Sequence, residues 1–162
     1  MINKRGSLLD VAFVAIMLFF TATVILFGYK ITASLNDKVQ DSSIVDSYGK
    51  QSFNTLEGYY PTVLDSSFLF ITIGVVIATI AMAALVRVHP IFIIFYIIGW
   101  VMIIILSGVF SNVYETMAEN GQLSGVSTNL TIINTIMTYL PIIVGVLGTI
   151  IAIVMYKTWR DG

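Results

Sequence analysis

The chain reads as an all-α integral membrane protein, with four transmembrane helices and a helical outer extension between helices 1 and 2. Three observations predict this class. Residues 66–114 hold one ionised side chain, Arg87, and residues 120–156 hold none. Each stretch exceeds the roughly 20 apolar residues that suffice to cross a bilayer. Of 162 residues, 57% are apolar and 10% charged, with a mean hydropathy of +0.94; a water-soluble domain carries about a quarter charged residues. The whole chain, 1–162, therefore reads as one membrane domain of spans and short connections.

The first span covers about residues 11–29, after Asn3-Lys4-Arg5-Gly6-Ser7, and is long enough to cross. Residues 30–64 are polar but patterned. Ile31, Leu35 and Val39 recur every four residues, and Val45, Tyr48, Leu56, Tyr59 and Val63 continue at helical intervals, broken near Gly49 and Gly58. This stripe must bury against something, either the chain's own outer segments or a neighbouring subunit. The second span covers about 68–86 and the third about 91–110, separated only by Arg87-Val88-His89-Pro90. Proline disfavours helix for the residue before it, so His89 fits the break and Pro90 the first turn of a new helix. Helices 2 and 3 are expected to form a tight antiparallel hairpin. The Gly-, Ser- and Asn-rich residues 118–128 read as a flexible turn. The fourth span, about 130–156, is long enough to tilt, with Pro141 as a kink near the interface.

Basic residues set the expected orientation. Lys4, Arg5, Arg87, Lys157 and Arg160 fall on one side; Lys30, Lys38 and Lys50 fall on the other with Asp37, Asp41, Asp46, Glu57, Asp65, Glu115 and Glu119. The Lys and Arg bias places both termini and the Arg87 turn inside.

Several function classes are excluded by composition. Eight basic residues and a net charge of -1 give no footprint for nucleic acid. Without cysteine there is no thiolate metal site, iron-sulfur cluster or disulfide. No Ser-His-acid set, paired intramembrane acids or phosphate-cradling glycine loop is present, so neither catalytic residues nor a cofactor or metal is expected.

The residues singled out are structural candidates. Asp10 reads as the one acid at a span boundary; it can pair with Lys4, Arg5 or the amino terminus, with a proton or cation site as the sharper alternative. His89 is the only histidine and lacks the three or four donors a metal needs, so a cap or headgroup contact is expected beside Arg87. Ser107, Ser111, Asn112 and Tyr114 form a polar end to helix 3, with Ser107 and Ser111 stacked at i, i+4. Gly74 with Ala78, and Gly148 with Ala152, have the small-xxx-small spacing that lets helices approach in lipid. These faces read as packing surfaces, with pore lining as the alternative.

The basic start Asn3-Lys4-Arg5, the polar outer segment, His89-Pro90 before the run to Leu106, Ser111-Asn112-Val113-Tyr114 and Leu140-Pro141 together resemble small multi-span membrane proteins of membrane-containing tailless viruses and related mobile elements. The resemblance implies a virion structural protein in an internal lipid layer, packed against copies of itself or the capsid underside. The expected function is thus a structural membrane component in contact with lipid and assembling laterally or with a larger complex. The alternatives are a channel or holin-like permeabilising protein, with Asn134, Thr135, Thr138 and Ser107 along an aqueous path, and an accessory subunit of a membrane complex.

Overall fold

The computed structural model describes residues 6–85 and 90–160. The expectations placed on Lys4, Arg5, Arg87 and His89 fall outside the described residues. Among those described, the chain forms α1 (Gly6–Asp41), α2 (Ser47–Leu85), α3 (Pro90–Ala118), α4 (Ser124–Ser127), α5 (Thr131–Thr138) and α6 (Leu140–Arg160). Helices α1, α2, α3 and α6 are long and apolar enough to cross a membrane, and the all-helical, four-span class stands.

The core follows from spacing. On α1, Val11, Val14, Leu18, Ala22 and Leu26 are at most 1% exposed and recur at three- and four-residue steps. On α5 and α6 a buried row runs through Ile133, Met137, Leu140, Val144, Leu147, Ile151 and Met155, with Ile136 beside it. The same step pattern places both sets on one stripe per helix, the seam along which helices pack. The second stripe runs through the junction at Tyr139 without changing phase. The expected kink at Pro141 is therefore a break two residues earlier, with Pro141 in the first turn of α6, where its missing N–H costs nothing. The amides of Ile142 and Ile143 donate to the carbonyl of Tyr139 at 3.0 Å, so hydrogen bonding spans the junction.

Neighbour relations correct the expected hairpin. Helix α1 packs against α2 and α3, and α6 packs against α3 and α2, while α2 and α3 make next to no contact. They lie across the diagonal of the bundle. The physical reason is reach: a square of helices about 8–10 Å apart has a diagonal of about 11–14 Å, and the five Cα steps from Leu85 to Pro90 can span about 17 Å. A short link does not force adjacency.

Helix α1 has 36 residues and α2 has 39, about 54 and 58 Å long at 1.5 Å per residue. Their ends on either side of residues 42–46 run side by side as an arm. Tyr29 of α1 stacks on Tyr60 of α2 with ring centroids 5.4 Å apart, and its hydroxyl accepts from Asn129 Nδ2 at 3.0 Å. The start of α5 is therefore level with Tyr29, and residues 30–41 and 47–59 continue past it. Asn36 Nδ2 donates to Glu57, Gln40 Nε2 donates to Asn36 Oδ1 at 3.0 Å and to the Lys50 carbonyl at 2.8 Å, and Lys50 Nζ donates to the Gln40 carbonyl at 2.7 Å. Lys50 thus serves a carbonyl of the last turn of α1, where the helix dipole favours a cation. Asp46 caps α2, its Oδ1 accepting from the Gly49 amide at 2.9 Å.

This polar seam overturns the expectation that the outer stripe buries against the chain's own outer segments. Ile31 is 62% exposed, Tyr48 78%, Leu56 56%, Tyr59 67% and Val63 57%. The arm holds itself together through amide, carboxylate and ammonium groups, with Ile31, Leu35, Tyr48, Leu56, Tyr59 and Val63 exposed and Val39 and Val45 half-buried.

Candidate functional site

Among the described residues an interhelical polar cluster lies where the arm meets the bundle, and it includes Asp65. Leu130, the residue before α5, offers no side chain to cap the helix, so the first amides of α5 need acceptors from elsewhere. Asp65 on α2 supplies them. Its Oδ2 accepts from the Ile132 amide at 2.8 Å and its Oδ1 from the Ile133 amide at 3.0 Å. These are the second and third amides of the helix, the pair an N-cap carboxylate normally serves. Here the cap comes from 67 residues away in the chain. The residue is only 7% exposed, and its charge faces the positive end of α5.

The neighbouring polar groups close on one another. Tyr114, 2% exposed, donates its hydroxyl to Asn134 Oδ1 at 2.9 Å. Asn134 Nδ2 donates to the Ser127 carbonyl at 2.7 Å, and Ser127 Oγ donates to the Ala118 carbonyl at 2.8 Å. Ser111 Oγ donates to the Thr138 carbonyl at 3.2 Å, serving an end carbonyl of α5. The residues 118–128 expected as a flexible turn instead contain α4 and bury Leu123, Val126 and Ser127, because the Ser127 and Asn134 bonds tie them down. Among the described residues no buried side-chain nitrogen or oxygen lacks a partner.

The sequence candidates divide accordingly. Tyr114 and Ser111 join the cluster. Ser107, fully buried, donates to the Ile104 carbonyl of its own helix at 2.7 Å and makes no interhelical bond through that proton. Asn112 is exposed and outside the cluster. Asp10 is half-buried near the start of α1, and its expected cationic partners lie outside the described residues. Pro90 begins α3. Pro141 lies beside Gly108, its Cγ 4.0 Å from where a Cβ there would stand. Asp10 is not alone at a boundary: Asp65 stands three residues before the second apolar run. That position was its one sequence signal, since nothing local marks residues 132 and 133 as its partners.

The two small-residue faces also part company. At Gly148 a Cβ would run into the Trp100 indole, and the Tyr96 hydroxyl donates to the Gly148 carbonyl at 3.0 Å; this is where α3 closes on α6. Gly74 meets nothing within 4 Å and Ala78 is exposed.

Chemically, the cluster can hold helix ends and loops together. Among the described residues no group of three or more His, Asp or Glu side chains is close enough to hold a metal. Comparison with known proteins found no matching family model, no matching curated protein and no matching solved structure.

Proposed function

We propose that the chain is a structural integral membrane protein that assembles laterally, with copies of itself or within a larger complex. The single observation that carries this reading is how its polar groups are used. Asp65, Tyr114, Asn134 and Ser127 bond to one another's segments, which rigidifies a bundle, while the arm offers an uncovered apolar surface to something outside the chain. In this reading the bundle sits in lipid, the arm stands beyond it on the acidic side, and both termini lie inside, supported by the five basic residues against three. The lipid layer of a virion is one setting for such a scaffold, as the resemblance implies.

The channel alternative draws less support. Ser107 is fully buried on α3, Asn134 is bonded to Tyr114 and Ser127, and Thr135 and Thr138 are exposed, so the four do not line one path within a protomer. Reconstitution into liposomes at high protein density tests the choice. The scaffold reading expects vesicles that remain tight to ions and ordered protein patches in the bilayer; steady ion flux scaling with protein density would overturn it.

A further inference from the structure

One face of α2 is uncovered along most of its length, interrupted at Tyr60, which stacks on Tyr29 of α1. In the arm it carries Tyr48, Leu56, Tyr59 and Val63, between 56% and 78% exposed; in the apolar span it carries Gly74 and Ala78, also exposed. At 3.6 residues per turn these six positions fall within an arc of about 120°. The charged residues of α2, Lys50, Glu57 and Asp65, lie outside that arc and belong to the seam and the cluster described above. A shallow groove of about 450 Å³ runs beside Tyr48, Leu56 and Tyr59.

We propose that this face binds the same face of a second copy, forming a parallel α2–α2 dimer about a two-fold axis along the membrane normal. The proposal rests on the scaffold reading, which places the arm in water. Three arguments select a second copy. Two of the four arm residues are aromatic, worth about 150–250 Å² each when fully exposed, and all four are 56–78% exposed, so the arm offers on the order of 450 Å² per copy. Phe70, 75% exposed, and Ile77, 61% exposed, lie on the same arc of the span and bring this toward the roughly 800 Å² per partner of a stable interface. The arm carries Lys30, Lys38 and Lys50 against Asp37, Asp41, Asp46 and Glu57, a net charge of 3 - 4 = -1, which neither repels a second arm strongly nor provides the basic face that anionic lipid headgroups attract. Below the arm, Gly74 and Ala78 add the small-residue spacing that permits close helix approach where apolar bulk gives no preference over lipid. Two copies inserted the same way round run parallel, so each residue meets its own counterpart. Tyr59 then faces Tyr59, and Gly74 faces Gly74.

The chain has no cysteine, so single-cysteine variants report one position each. Tyr59→Cys and Ala78→Cys, in the full chain in native lipid under mild oxidation, are expected to form disulfide-linked dimers. Val24→Cys, on α1 and 68% exposed, serves as the collision control, expected to link at least about fivefold less. Adding Gly74→Leu to Tyr59→Cys lowers the linked fraction at least about fivefold, the loss of a close helix contact in lipid. Gly74 has open space around it, so unchanged helicity and melting show that the fold survives. Equal linking at Val24, or linking at Tyr59 that Gly74→Leu leaves unchanged, overturns the dimer. If the protein is oligomeric but joined through another face, the dimer falls and the scaffold reading stands. If it is monomeric in native lipid, both fall.

Discussion

Replacing Asp65 with alanine removes the side-chain cap at the start of α5 and leaves two amides without acceptors. The Ile133 amide belongs to a residue that is 0% exposed, while Ile132 is half-buried. A buried donor deprived of its partner costs about 1–3 kcal/mol, and more when the lost partner is charged. The Ile133 amide bears the full cost; water reaching the end of α5 offsets part of that at Ile132. The expected destabilisation is therefore about 2–4 kcal/mol for Asp65→Ala, and about 1–2 kcal/mol for Asp65→Asn, which keeps one carbonyl acceptor but not the charge. Reversible unfolding in mixed micelles measures the free energy, and amide hydrogen exchange across residues 131–138 locates it. Exchange should accelerate at Ile132 and Ile133 before any change appears in α1. Asp65→Ala with wild-type stability and wild-type exchange in α5 would refute the capping argument.

Other outcomes follow from the same contacts. Gly148→Ala drives a methyl group into Trp100 and should cost about 1–3 kcal/mol, whereas Gly74→Ala enters open space and gains helix propensity of up to about 1 kcal/mol; equal destabilisation in the same unfolding assay would contradict the packing described. Tyr114→Phe deletes the hydroxyl that donates to Asn134 and should lower stability by about 0.5–1.5 kcal/mol, with faster exchange at Ser127 as the local signature. Glu57→Ala removes the acceptor for Asn36, so proteolysis between residues 42 and 46 should speed several-fold while the melting of the bundle stays put.

The fold class was legible because lipid demands long uncharged helices, and no soluble alternative tolerates residues 66–114 with one charge. Which face of each helix points inward was not. On α3, Ile103 is 7% exposed and its neighbour Met102 is 65% exposed; both are equally at home in lipid, so periodicity loses the contrast that marks a core in water. The same ambiguity made Gly74 and Gly148 look alike, although within one chain only Gly148 meets another helix. The diagonal placement of α2 and α3 was hidden because a short link limits distance, not neighbours. In the arm the apolar stripe was visible, but the seam is made by Asn36, Gln40, Lys50 and Glu57, whose pairing across the turn leaves no apolar signal. Of the polar cluster, Tyr114 and Ser111 were found through their place at the end of helix 3. Asp65 was missed because its partners are backbone amides on α5, and backbone groups carry no sequence signature.

The most direct test of the structural role is the number of copies in small patches of native membrane excised without detergent, measured by mass photometry or single-molecule bleaching at low expression. A scaffold that assembles laterally is expected in patches of two or more copies, alone or with a constant partner. Patches holding one copy and no partner, across the whole concentration range, would contradict it.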